Sequence, residues 1–150
     1  PNLVLTKFPL DQEKQSIMGH SMGGLGALNI AIRNPEIYKT VSAFAPISNP
    51  TKGIWGQKQF EAYLGKETEN WKKYDPSILL NEQGYEGKIL IDQGTKDDFL
   101  KNLMPEALEK IFNNRNKGDQ LRYQKDYDHS YFFVSSFLKD HVLWHKDNVK

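Results

Sequence analysis

Gln15-Ser16-Ile17-Met18-Gly19-His20-Ser21-Met22-Gly23-Gly24 decides how this chain reads. Gln15 to Gly19 has the pattern of a short buried strand, and Met22 to Asn34 that of a helix with small or apolar residues at Gly26, Ala27, Ile30 and Ala31. Pro35 marks the helix end. Between the two, Gly19-x-Ser21-x-Gly23 has the form of a nucleophile elbow. Such a turn is tight and strained, and side chains at Gly19 and Gly23 are expected to collide with neighbouring backbone. It lifts the Ser21 hydroxyl above the sheet edge and sets the Met22 backbone N–H at a helix N-terminus, where it can donate to an oxyanion. The pattern arises by chance in roughly one chain of this length in twenty, so the strand before it and the helix after it carry its weight. Phosphate-loop readings fail: Leu25 and Gly26 stand where a P-loop needs Lys and Ser or Thr, and Asn29 stands where a dinucleotide fingerprint needs Gly.

Outward from the elbow, strands alternate with helices. Thr40 to Phe44 is β-branched and aromatic, and Lys88 to Gln93 is the clearest strand, ended by Gly94. Leu121 to Gln124 reads as a further short strand. The stretch from Ala45 to Gly56 reads as a long loop, followed by short helices over Gln57 to Leu64 and Thr68 to Lys73, with another starting at Pro76. Pro105 suits the first turn of a helix striped by Leu108, Ile111 and Phe112. A last helix starts near Ser130, its stripe running through Phe133, Val134, Phe137, Leu138, His141 and Val142. This alternation predicts an α/β fold with a parallel sheet and function on loops at the carboxyl ends of its strands.

Composition narrows the function. The chain has 150 residues, is 38% apolar and 26% charged, and its 20 basic and 19 acidic residues leave a net charge of +1. Such a balance gives no footprint for nucleic acid or an anionic membrane. Its apolar runs are shorter than the roughly 18 residues a membrane span needs. With no cysteine, it has no disulfide, thiolate zinc site or thiol nucleophile.

A serine hydroxyl needs a base, and the base an orienting acid. His129 lies in the polar turn Asp126-Tyr127-Asp128-His129 between the last strand and the last helix, where such a base belongs. Asp97 and Asp98 both follow the clearest strand, and spacing does not choose between them. Asp92 is still inside the strand. His20, the variable residue of the elbow, reads as a packed, hydrogen-bonded imidazole. His141 and His145 stand i, i+4 without the Glu of a zinc-binding helix, so they read as one partly buried and one solvated histidine, with no metal.

These residues resemble S-formylglutathione hydrolase, also called esterase D, of the α/β-hydrolase superfamily. The likeness runs from about Phe8 to the end, through Ser16 to Gly24, Val41-Ser42-Ala43-Phe44-Ala45-Pro46-Ile47-Ser48-Asn49-Pro50, Trp55-Gly56, Ala62-Tyr63-Leu64-Gly65, Trp71-Lys72-Lys73-Tyr74-Asp75, Ile89 to Gly94 and Tyr127-Asp128-His129-Ser130-Tyr131-Phe132-Phe133. It implies Ser21 as nucleophile, His129 as base and Asp97 as acid, with Met22 N–H in the oxyanion hole and Trp55, on the loop after Pro50, as a possible wall of the acyl pocket. It also implies hydrolysis of S-formylglutathione to formate and glutathione in formaldehyde detoxification, side activity on simple esters, no cofactor, a cytosolic location and a homodimer. Alternatives are a general carboxylesterase or acyltransferase of the same fold, or a non-catalytic binding module.

Family members run to nearly twice this length. The chain, residues 1–150, therefore reads as a single incomplete domain, the carboxyl-terminal half of a mostly parallel sheet flanked by helices, with one edge of the elbow strand bare. Its second oxyanion donor and the glutathione site are expected upstream. The isolated chain is expected to be poorly soluble or nearly inactive, which activity of the purified chain at ordinary enzymatic rates would disprove.

Overall fold

The computed structural model describes residues 2–149; Pro1 and Lys150, the ends of the single-domain reading, lie outside them. In chain order the elements are α1 (Asn2–Leu5), β1 (Gln15–His20), α2 (Met22–Arg33), β2 (Tyr38–Phe44), α3 (Ile54–Leu64), α4 (Thr68–Lys72), α5 (Pro76–Glu82), β3 (Lys88–Gly94), α6 (Leu100–Leu103), α7 (Glu106–Arg115), β4 (Gln120–Gln124) and α8 (Tyr131–Asn148). The four strands lie in the order β1-β2-β3-β4, all parallel. Each new strand is added on the same side of the last. Because such crossovers are right-handed, the connecting helices α2, α5 and α7 all fall on one face. Helix α8 returns across the other face. β1 is an edge among the described residues, and Met18 on it is 38% exposed.

The period of two along the strands sorts the faces. Val41, Ala43, Ile89 and Ile91 point towards α2, α5 and α7 and pack with Leu28, Ala31, Ile32, Leu79, Leu108 and Ile111 in the main core. A second cluster joins Phe44, Ala45, Ile47, Phe60, Trp71, Leu103 and Phe133 near the carboxyl ends of the strands. Asp75 fixes the start of α5. One carboxylate oxygen accepts from Ser77 N at 2.9 Å and the other from Thr51 N at 3.0 Å, so a helix cap also ties down the preceding loop. An Asp cap of this kind contributes about 1 kcal/mol.

The alternate strand positions, facing α8, include Phe44 and Leu90 but are polar at Ser16, Thr40, Ser42 and Asp92. Ser16 and Thr40 share a hydrogen bond of 2.7 Å, Thr40 Oγ1 lies 2.7 Å from His145 Nδ1, and Ser42 Oγ lies 2.8 Å from His145 Nε2 and 2.9 Å from His141 Nδ1. His141 Nε2 stands 3.3 Å from Asp92 Oδ2 without the alignment of a hydrogen bond, and Asp92 takes a two-pronged bond from Arg122 at 2.6 and 2.7 Å. His141, fully buried, also stacks on Phe44 with ring centroids 3.8 Å apart. An ionised carboxylate only accepts, so the His141 proton belongs on Nε2, facing Asp92. Nδ1 then accepts from Ser42 O–H, Ser42 Oγ accepts from His145 Nε2–H, His145 Nδ1 accepts from Thr40 O–H, and Thr40 Oγ1 accepts from Ser16 O–H. The chain of bonds runs one way and needs both imidazoles neutral.

Three expectations change. His145 is 6% exposed rather than solvated, and His141 is wholly rather than partly buried, because hydroxyls on the sheet receive both rings. Trp55 sits in the first turn of α3, which starts three residues before the expected Gln57 and takes up the end of the long loop. Pro105 precedes the first turn of α7 instead of lying in it. The short helices α1 and α6 had no counterpart in the sequence pattern.

Candidate active site

Ser21, Asp97 and His129 follow β1, β3 and β4, at the carboxyl edge of the sheet. Ser21 has φ 55° and ψ −116°, a conformation that costs a non-glycine residue about 1–3 kcal/mol. Its backbone N–H donates to Phe44 O at 2.9 Å, which pins the turn to the neighbouring strand. Ser21 occupies the N-cap of α2, yet its side chain makes no capping bond. Serine at an N-cap usually spends its hydroxyl on the helix; here the hydroxyl is left for other use. Met22 opens the helix, where first-turn amides lack intrahelical acceptors.

The glycines work differently from expectation. A Cβ on Gly19 would fall inside the Gly23 carbonyl, as anticipated, but a Cβ on Gly23 would meet nothing within 4 Å. The crowded position is Gly24, whose Cβ would lie 2.9 Å from Pro46 Cβ and 3.2 Å from Ala43 Cβ. The first glycine admits the turn and the third brings α2 against the sheet.

The two loops that carry Asp97 and His129 are bound to each other. Thr95 N donates to Gln124 O at 3.0 Å, Lys96 N to Tyr127 O at 2.9 Å, and Asp126 N to Thr95 Oγ1 at 2.9 Å. A side chain at Gly94 would strike the Tyr127 carbonyl, so glycine there permits this approach. The result is a 2.7 Å contact between His129 Nδ1 and Asp97 Oδ2. Asp97 is 5% exposed, and Phe99 N donates to its other oxygen at 2.8 Å. Burial pushes the Asp97 pKa up, but the His129 hydrogen bond and charge, the Phe99 amide and the Gln93 amide outweigh it and hold the carboxyl below its usual range. Asp98 is exposed. The geometry brings His129 to Asp97 and leaves Asp98 in solvent.

His20, the direct neighbour of Ser21, joins the elbow to this pair. Its ring centroid is 4.6 Å from that of His129 and 5.7 Å from that of Tyr131. It is half-buried and packed as expected, while its Nε2 has no hydrogen-bond partner among the described residues. Burial, and then the proximity of His129, lower its pKa. Phe99 packs edge-on against His129 at 5.1 Å, and Trp55 packs on Phe99 at 4.8 Å. Trp55 thus reaches the site through one intervening ring. Sequence reading missed Phe99 and Gln93. The signal for both was their place on the strand end and loop that carry Asp97.

The Esterase family model matches residues 1–144. The chain belongs to the Esterase family. It is 54% identical over 149 residues to the S-formylglutathione hydrolase of Paracoccus denitrificans (strain Pd 1222), covering 99% of this chain and 53% of that protein. An S-formylglutathione hydrolase structure from Agrobacterium tumefaciens superposes with a TM-score of 0.92 at 42% identity, covering 100% of this chain and 55% of the other. The esterase chain thus spans about half the length of these relatives. The fluorophosphonate-binding serine hydrolase FphF of Staphylococcus aureus, 22% identical with a TM-score of 0.76 over 96% of this chain and 59% of its own, shares the fold. The four-stranded sheet with its flanking helices is thus part of an α/β-hydrolase fold. No helix among the described residues is long and apolar enough to cross a membrane.

Proposed function

We propose that this chain carries the nucleophile, base and acid of a serine thioesterase that hydrolyses S-formylglutathione to formate and glutathione, with side activity on simple esters. The observation that carries the reading is the 2.7 Å contact of His129 Nδ1 with buried Asp97, on loops tied to the same sheet edge as the strained Ser21. Similarity to two S-formylglutathione hydrolases supports the substrate.

The proposed chemistry follows from the tautomer. Asp97 only accepts, so the His129 proton resides on Nδ1 and its Nε2 lone pair is free to take the Ser21 proton. Ser21 Oγ attacks the formyl carbon, and the Met22 amide donates to the oxygen as it becomes negative. Asp97 stabilises the imidazolium formed in that step. The tetrahedral intermediate expels glutathione as a thiolate, a good leaving group that then takes the proton from the His129 imidazolium, so that His129 is neutral again. Water, deprotonated by His129, attacks the formyl ester and releases formate and Ser21. Trp55, behind Phe99, would brace the acyl side. In a cell this reaction would release formate and regenerate glutathione during formaldehyde detoxification in the cytoplasm, and the enzyme would act as a homodimer.

The experiment treats the complete gene product with a fluorophosphonate and compares turnover of S-formylglutathione and 4-nitrophenyl acetate. A Ser21 adduct, loss of both activities in Ser21→Ala, and a strong preference for the thioester are expected. Labelling with equal or better turnover of the acetate would identify a general carboxylesterase, and no adduct would point to a non-catalytic module.

A further inference from the structure

Two of the three groups that donate to Asp97 have evident origins: His129 Nδ1, and the Phe99 amide of the loop itself. The third is Gln93, at the end of β3, whose Nε2 donates to Asp97 Oδ2 at 2.9 Å and, more weakly, to the adjacent Gly94 O at 3.3 Å. That is the same oxygen His129 Nδ1 reaches at 2.7 Å. Gln93 is fully buried, and its Oε1 has no hydrogen-bond partner among the described residues. The orientation of the amide is not in doubt, since turning Oε1 towards a carboxylate would oppose two acceptors. An orphaned buried carbonyl destabilises a fold. An apolar side chain of equal length would fill the space without that penalty. Packing therefore does not account for glutamine here, whereas the bond to Asp97 does.

We infer that Gln93 is a positioning residue: it holds Asp97 Oδ2 against His129 Nδ1 and takes a share of that oxygen's negative charge. The inference rests on the proposed roles of Ser21, His129 and Asp97. A carboxylate on a loop has two oxygens and a free χ2. The Phe99 amide fixes one oxygen and Gln93 the other, so the carboxylate plane is set before the imidazole arrives. Sharing Oδ2 between an amide and an imidazole also weakens its pull on the imidazolium proton, so Gln93 keeps the base from becoming too basic. The ionisable groups around this cluster are Asp97 and His129 themselves, Asp128 beside His129, His20 on the elbow beyond it, and the Lys96–Asp126 ion pair on the loops above. Asp92, next in the chain, points to the opposite face of the sheet and pairs with Arg122.

Gln93→Met and Gln93→Glu in the complete gene product test this, with rates expressed per Ser21 site titrated by a fluorophosphonate, so that misfolded protein drops out. Gln93→Met keeps the volume and removes the donor. It is expected to lower kcat about tenfold with KM within about twofold, and to move the acidic limb of the pH profile upward by several tenths of a pH unit. Gln93→Glu, while protonated, donates to Oδ2 as glutamine does. Once ionised it opposes Asp97, so its profile is expected to gain an alkaline limb absent from the parent. A merely structural glutamine would reduce the number of active sites and leave both profiles unmoved. Profiles and kcat per site matching the parent in both variants would overturn the inference while leaving the hydrolase reading intact. Absence of an adduct on Ser21 in the parent protein would overturn both.

Discussion

Acidification should unlock α8 from the sheet, and His145 is the group that makes this measurable. Its ring is held between Thr40 and Ser42 hydroxyls, with His141 one turn away and Trp144 packed at 5.1 Å. Burial, and then the His141 imidazole one turn away, push its pKa down from the ordinary 6.5 to about 4. A histidine whose pKa is lowered on folding binds its proton more weakly in the folded than in the unfolded chain. Its contribution to stability is therefore complete above pH 6.5 and declines as the pH falls towards 4. At roughly 1.4 kcal/mol per pH unit, the loss is about 2 kcal/mol between pH 7 and pH 5 and about 3 kcal/mol by pH 4. Urea unfolding of the complete gene product, followed by tryptophan fluorescence, measures it against His145→Gln. Glutamine spans the same hydroxyls but does not titrate. The stability gap between the two proteins at pH 7 is expected to shrink by about 2 kcal/mol at pH 5. A gap constant to within about 0.5 kcal/mol would show that His145 takes up its proton in the folded protein as readily as in the unfolded chain, and would refute the one-way chain of neutral imidazoles.

The elbow predicts a contrast between its glycines. Gly19→Ala drives a methyl into the Gly23 carbonyl and should abolish fluorophosphonate labelling, whereas Gly23→Ala, with open space at its Cβ, should label at close to the parent rate. Asp97→Asn presents an amide to His129 and should lower kcat by roughly 10⁴ by favouring the wrong tautomer. Asp98→Asn, on an exposed side chain, should stay within about twofold of the parent in the same assay. Asp92→Asn leaves Arg122 and His141 facing an amide in place of a charge. Losing one partner of a buried pair costs about 3–5 kcal/mol. The Arg122 side chain is 33% exposed, so a loss near the lower end is expected in urea melts.

Local rules carried the reading where chemistry and chain direction coincide. The elbow needs a strand, a tight turn and a helix in immediate succession, so Gly19 to Gly24 shows itself over six residues. The strands were legible because β2 and β3 are buried on both faces and concentrate β-branched and apolar residues. The choice between Asp97 and Asp98 was different. Adjacent residues in a loop have the same spacing to everything else, and only the bond to His129, 32 positions away, separates them. Trp55 and Phe99 belong to the same class: their meeting depends on how α3 packs beside the loop after β3, which no local period encodes.

The polar face under α8 was the least legible part, for a physical reason. Ser16, Thr40, Ser42, Asp92 and Arg122 alternate with apolar neighbours, and alternation in a strand ordinarily means that the polar side meets solvent. By the same rule His141 and His145 on the last helix read as half-buried or solvated. Considered alone, each set has the pattern of an exposed one. Thr40, Ser42, His141 and His145 are buried only because each set supplies the other's hydrogen-bond partners, a relation between β2 and α8 separated by 99 to 105 positions. Such a seam contributes less transfer energy than an apolar one, but it accepts a single register of α8 on the sheet: a shift of one residue would leave every hydroxyl and imidazole unpaired at once. Helix α8 begins two residues after His129. The same register that pairs His141 with Asp92 therefore anchors one end of the turn that presents His129 to Asp97, while the bonds from Thr95 and Lys96 anchor the other. Rigidity at the site then depends on a buried network three helical turns away, and loosening that network by acid should reach His129 before the rest of the sheet opens.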